Sequence, residues 1–200
     1  MKRLKLWQKL SIGSVLVLGA AAVLGFLIWN WGRVHKHCIK LVGMSLKNYA
    51  AVNAGQFPFH TNGYPQALVK WARFEPWIVP SLVGVDDDGS WLTAAVTSGV
   101  PVNETNCTRI YVQGLSTASN PRIAVLLDRY AVKGGDHFRG MSGQPFLREA
   151  CLVDGSHEMI PVDRWPAFAS NQVKLLVQAG IPPATAEAYY RPTLDPDAKR

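Results

Sequence analysis

Acid is absent from the first third of this chain. Glu75 is the first carboxylate side chain in a sequence of 200 residues. Residues 1–74 hold ten Lys/Arg and carry +10, whereas residues 75–200 hold eleven Lys/Arg and all fourteen acids and carry −3. The formal net charge of +7 therefore hides two dissimilar regions. A basic chain ordinarily raises nucleic acid as a partner. Here the positive charge flanks a long apolar run, which a membrane explains better, so no nucleic-acid partner is expected. Cysteine is scarce too, with only Cys38, Cys107 and Cys151. That odd set leaves Cys107 and Cys151 as candidates to pair in an oxidising compartment, with three reduced, buried thiols as the other reading. No phosphate-binding loop, no dinucleotide fingerprint and no internal repeat occurs, which argues against nucleotide enzymes and solenoids. With 48% hydrophobic and 18% charged residues, the composition excludes a disordered chain.

What is present begins with Leu10–Trp29, twenty residues without a charge. At 1.5 Å per residue they span roughly 30 Å, the thickness of a bilayer's hydrocarbon core. Trp7 precedes the run and Trp29 and Trp31 close it, positions that suit indoles at the two interfaces. A cleaved signal peptide has a shorter apolar stretch and a small-x-small cleavage site. The reading is a transmembrane helix over residues 10–31 behind a basic cytoplasmic tail at 1–9. It implies a single-pass protein of the cytoplasmic (inner) membrane, with the bilayer as a partner and the remaining chain periplasmic. Gly13, Gly19 and Ala20–Ala22 offer the small surface on which membrane helices pack.

No helix breaker follows at once. Val34, Cys38, Leu41, Val42, Ser45, Tyr49 and Val52 recur at the spacing of one helical face, and Asn53-Ala-Gly55 with Pro58 supplies a stop. The spacing predicts an amphipathic continuation over residues 32–55, making one helix of about 45 residues, roughly 70 Å long. After Pro58 the pattern predicts an α+β head over 56–181. Its expected parts are a helix over Tyr64–Phe74, strands at Arg109–Gln113 and Ile123–Asp128, a hairpin around Asp154-Gly155, and a helix from Asp163 through Gln178. A three- or four-stranded antiparallel sheet packed on the long helix would satisfy both apolar faces. Residues 182–200 read as a polar tail with a short helical turn.

The stretch Cys38-Ile-Lys-Leu-Val-Gly43-Met-Ser-Leu-Lys-Asn-Tyr49, followed by Gly55-Gln-Phe57-Pro58, resembles a segment of type IV pilins and type II secretion pseudopilins. Further patches in the same order are Tyr111-Val-Gln-Gly114-Leu115, Leu127-Asp128-Arg129, His137 and Leu152-Val-Asp154-Gly155-Ser-His157-Glu158. They are similar to the carboxy-terminal half of large bacterial paralogue families of that kind, with a His-x-Gly turn and an Asp-Gly hairpin. The resemblance implies a non-enzymatic structural component of a pilus or type II secretion apparatus, with other pilin or pseudopilin subunits contacted through the amino-terminal helix. It also implies cleavage after a glycine, and Gly13 and Gly19 are the candidates. The family's assembly glutamate would then fall on Leu18 or Leu24, neither of which carries charge. The alternative is a stand-alone, membrane-tethered binding module that keeps the pilin fold and does not assemble.

Chemistry beyond the scaffold is thin. Asp86, Asp87 and Asp88 form an oxygen-rich loop with a weak likeness to a calcium site, but the closing bidentate acid of an EF-hand is missing. An exposed acidic turn is the plainer reading. His60, His137 and His157, with Cys151 and Asp154, show no recognised zinc spacing. Asp128, His137 and Ser142 spell a hydrolytic triad only on paper, because Gly140-Met-Ser142-Gly143 breaks the nucleophile-elbow pattern. The sequence predicts no catalytic residue, no cofactor and no metal.

Overall fold

The structure, a computed structural model, describes residues 17–26, 38–84, 87–135 and 143–194. The chain divides into two compact units, Met1–Lys36 and His37–Arg200. In the first, residues 17–26 are helical and exposed. No helix among the described residues is long and apolar enough to cross a membrane. This overturns the single-pass, inner-membrane placement expected for residues 10–31. With it goes the assignment of a cytoplasmic tail and a periplasmic head.

The second unit starts with α1, Ile39–Val52. Cys38, at its amino-terminal cap, holds extended dihedrals of φ −64° and ψ 113°. A helix cannot run through an extended residue, so α1 starts afresh there and the unbroken 45-residue helix is not found. Its buried face, Ile39, Val42, Gly43, Ser45, Leu46, Tyr49 and Ala50, follows the three- and four-residue spacing. Val52, expected on that face, is 69% exposed because the helix ends there. Then come α2 (Tyr64–Phe74), a 3-10 turn (Pro76–Ile78), α3 (Val79–Leu82), α4 (Ser90–Ser98) and a second 3-10 turn (Glu104–Asn106). Trp71 of α2 is fully buried, and its indole N–H donates to the Ser45 hydroxyl at 2.7 Å, joining α2 to α1. A buried indole without such a partner would lose its hydrogen bond to water for nothing.

The sheet contains β1 (Arg109–Tyr111), β2 (Ala124–Asp128), β3 (Val132–Lys133), β4 (Phe146–Leu152) and β5 (His157–Pro161), all antiparallel. Leu147 pairs with both Val132 and Pro161, so β3 and β5 lie on opposite edges of β4. β2 pairs with the other half of β4, Leu127 facing Ala150, and β1 pairs outside β2. β2 and β3 thus follow one another along one edge of β4, interrupted by residues 129–131. Every residue of β1 and β2 is buried, which requires cover on both sheet faces.

Two helices complete the unit: α5 (Trp165–Gln178) and α6 (Pro183–Tyr190), followed by a 3-10 turn at Arg191–Thr193. Gln172 of α5 reaches the sheet, accepting from the Ala124 N–H at 2.8 Å and donating to the Arg122 carbonyl at 2.9 Å. The supposed polar tail is integral down to Thr193. Ala186 and Tyr190 are buried, and the Trp165 indole N–H donates to the Thr193 hydroxyl at 2.8 Å. The coarse class is therefore α+β, helices with a five-stranded antiparallel sheet.

Candidate functional site

The motif residues meet in two seams. In the first, Gly43 of α1 lies against Gly155 in the β4–β5 turn. A methyl group at Gly43 would approach the Gly155 Cα to 2.8 Å and run into its carbonyl oxygen. Gly155 itself has φ +81°, a left-handed conformation that side chains disfavour. The neighbouring Asp154 accepts from the Ser156 backbone N–H at 2.8 Å and from its hydroxyl at 2.5 Å. These Ser156 bonds hold its carboxyl below the usual range. The second seam joins Gly55–Pro58 to Tyr111–Leu115. Phe57 N–H donates to the Leu115 carbonyl at 3.2 Å, Thr117 N–H to the Gly55 carbonyl at 2.9 Å, and the Tyr111 hydroxyl to the Pro58 carbonyl at 2.7 Å. Tyr49 is buried beside them, its ring edge-on to Phe74 at 5.0 Å.

Beyond the seams, the sheet carries buried charge. Arg109 on β1 and Asp128 on β2 form an ion pair at 3.0 Å, with the arginine fully buried. The second Asp128 oxygen accepts from the Glu149 backbone N–H at 2.8 Å, tying β2 to β4. Arg109 also donates to the Ser81 carbonyl, and Arg148 to the Arg129 carbonyl. The Arg148 guanidinium stacks over the Trp165 ring, 5.4 Å from its centre. Complete burial pushes the Asp128 carboxyl up despite the facing Arg109. Such a network is costly to desolvate and costlier to break.

A third feature is a cleft of about 270 Å³ whose walls include Tyr64, Ile110, Gln113 and Tyr189, with Arg129 and Glu104 as its charged groups. Arg129 is only 9% exposed; it donates to the Glu104 carbonyl at 2.7 Å and to the Tyr64 hydroxyl at 3.4 Å. Its Nε has no hydrogen-bond partner, and no carboxylate lies within ion-pairing distance among the described residues. Burial raises the pKa of both Tyr64 and Tyr189, so both phenols keep their protons at neutral pH. Nothing in the hydrophobic pattern points to this cleft. Its one local signal is Asp128-Arg129, two adjacent charges at the end of a fully buried strand.

The other sequence candidates fall elsewhere. Asp87 accepts from the Gly89 N–H at 2.9 Å and the Trp91 indole at 2.7 Å, and Asp88 accepts from the Ser90 N–H at 2.8 Å. They thereby serve the amino-terminal end of α4; Asp86 lies outside the described residues. Asp88 is held below the usual carboxylate range by its Ser90 bonds. Cys38, Cys107 and Cys151 are all buried, and Cys107 and Cys151 are free thiols, so the Cys107–Cys151 bond is not present. The reason is topological. Cys151 pairs with Leu126, Leu126 pairs with Tyr111, and Cys107 lies four residues before Tyr111. With strands about 4.8 Å apart, a whole strand separates the two sulfurs' backbones, beyond disulfide reach. Burial pushes the thiols of Cys107 and Cys151 up to about 12 each. No group of three or more His, Cys, Asp or Glu is placed to hold a metal among the described residues. His60 Nδ1 accepts from the Asn62 N–H at 3.1 Å. Gly13, His137 and Ser142 lie outside the described residues. Leu18 is exposed, and nothing lies within 4 Å of a methyl group built at Gly19.

No protein-family model, no curated protein and no solved structure matches this chain.

Proposed function

We propose that the chain is a non-enzymatic, pilin-like structural subunit that acts by assembling with other subunits, as in a pilus or a type II secretion pseudopilus. One observation carries the reading: sequence patches that resemble pilin-like proteins meet in space. Gly43 touches Gly155, and the Gly55–Pro58 segment pairs with Tyr111–Leu115. Residues used this way build a scaffold, because each fixes backbone against backbone rather than presenting reactive groups to solvent. The buried carboxylate of Asp128 is likewise spent on Arg109 and a backbone N–H, which suits a framework better than proton transfer.

The test is chemical cross-linking in the native host, followed by intact-mass measurement of the purified chain. A ladder of cross-linked subunits, with a mass beginning at Ser14 or Ala20, is the expected result. A mass beginning at Met1 with only uncross-linked protein rejects assembly. The head would then stand as a separate binding module.

A further inference from the structure

We infer that the cleft between α2, the Glu104–Asn106 turn and α6 is a binding site for a small zwitterionic amino carboxylate with an apolar side chain. The inference goes beyond assembly and does not depend on it. Four features specify the ligand.

The first is a buried cation without a counter-ion. Arg129 is nine-tenths buried beside an open cleft, and the bonds it makes go to neutral oxygens, the Glu104 carbonyl and the Tyr64 hydroxyl. A guanidinium out of water favours a carboxylate, which it binds through two parallel hydrogen bonds. The bond to Tyr64 is long, at 3.4 Å, and so is the one most readily exchanged for a ligand oxygen.

Unspent donors come second. The Tyr64 hydroxyl accepts from Arg129, and the Tyr189 hydroxyl accepts from the Gln113 N–H at 3.3 Å. Gln113 uses its side-chain oxygen to accept from the His60 N–H at 2.8 Å. Each hydroxyl proton, and the Gln113 amide NH₂, is left without an acceptor among the described residues. A cleft lined by a cation and three spare donors calls for an acceptor-rich group.

Third, a single carboxylate sits in the wall. The charge of Glu104 acts on both phenols, contributing to the raised pKa of Tyr64 and of Tyr189. It does not ion-pair with Arg129. A simple anion would be repelled by it, whereas a ligand carrying an ammonium beside its carboxylate satisfies both charges.

Finally, the size and the apolar walls fix the rest. About 270 Å³ walled by the Tyr64 and Tyr189 rings and Ile110 accommodates a side chain as large as a phenyl group.

The experiment is isothermal titration of the full chain with L-phenylalanine, N-acetyl-L-phenylalanine and phenethylamine. The first has both charges, the second lacks the ammonium and the third lacks the carboxylate. Saturable one-to-one binding of L-phenylalanine is expected, with each of the other two weaker by about tenfold or more. Glu104→Gln should bring L-phenylalanine down to the level of its N-acetyl form. Thr185→Trp, a change at an exposed residue of the cleft wall, should abolish binding while far-UV circular dichroism and the urea midpoint stay those of the parent. Absence of L-phenylalanine binding, equal binding of phenethylamine, equal binding of the N-acetyl form, or unchanged binding by the Thr185→Trp protein would each overturn the inference.

Discussion

The two ends of β4 solve the problem of burial in opposite ways. Toward Leu152 the strand leads into the Asp154-Gly155 turn, where α1 closes through glycine against glycine, with the Lys47 side chain lying along the edge of the contact. Toward Phe146, Arg148 and Glu149 are buried among Arg109, Asp128 and Arg129. One end is specified by shape and the other by charge. The lesson is that local pattern can reveal the first kind of order and not the second. A glycine in a turn or a helix announces itself within a few residues. An ion pair joining Arg109 to Asp128 does not, since its partners lie on different strands.

The charged end should be the more fragile. Asp128→Ala leaves a fully buried Arg109 without its carboxylate and the Glu149 N–H without an acceptor, and should cost about 3–5 kcal/mol in urea unfolding. A cost below 1 kcal/mol would mean that solvent reaches this end. The glycine seam comes next. Gly43→Ala must displace the backbone of Gly155 and should cost about 2–3 kcal/mol. Gly19→Ala meets nothing within 4 Å, so only helix propensity acts there; it should not destabilise and should favour the alanine by at most about 1 kcal/mol, which separates a packing effect from a helix-propensity effect.

Alkaline pH sharpens the comparison from another side. The thiols of Cys107 and Cys151 are raised to about 12 in the fold from an ordinary 9.0. Between those values the unfolded chain gives up protons that the folded chain retains, so stability falls as pH rises through that window. Each thiol should remove about 2 kcal/mol by pH 10.5, and the raised tyrosines act in the same direction. Urea midpoints measured from pH 7 to 10.5 give the slope, and a Cys107→Ala, Cys151→Ala double variant should flatten it. A smaller destabilisation than that of the glycine seam belongs to the carboxy-terminal turn. Thr193→Val removes the acceptor of the Trp165 indole and should cost about 1 kcal/mol by the same assay.

Much of the framework was legible in the sequence. The helix expected over Tyr64–Phe74 has those bounds, the Asp154-Gly155 turn does join two strands, and the last long helix does end at Gln178. These elements carry strong periodicity or a turn with its own chemistry. Other expectations gave way to tertiary contacts. Apolar spacing joined α1 to the preceding run, yet Cys38 is extended. The start of β4 carries no strand signal, because Arg148 and Glu149 interrupt its apolar pattern and are buried only through groups far off in sequence. The carboxy-terminal residues looked polar, although Tyr190 and Thr193 lock onto α5. The cleft was invisible for the same reason: Tyr64, Gln113, Arg129 and Tyr189 become neighbours only once the chain is folded.

The distance along the chain between Gly43 and Gly155 also sets a schedule. The surface that α1 needs is made more than a hundred residues after α1 itself. At typical elongation rates of 5–20 residues per second, the part of α1 that meets the Gly155 turn waits uncovered for roughly 6–22 s, although α2 can cover the Ser45 side much sooner. During that interval the nascent chain offers a greasy helix to whatever lies near the ribosome's exit. A factor that shields such helices should therefore raise the yield of this protein, and slowing translation should lower it.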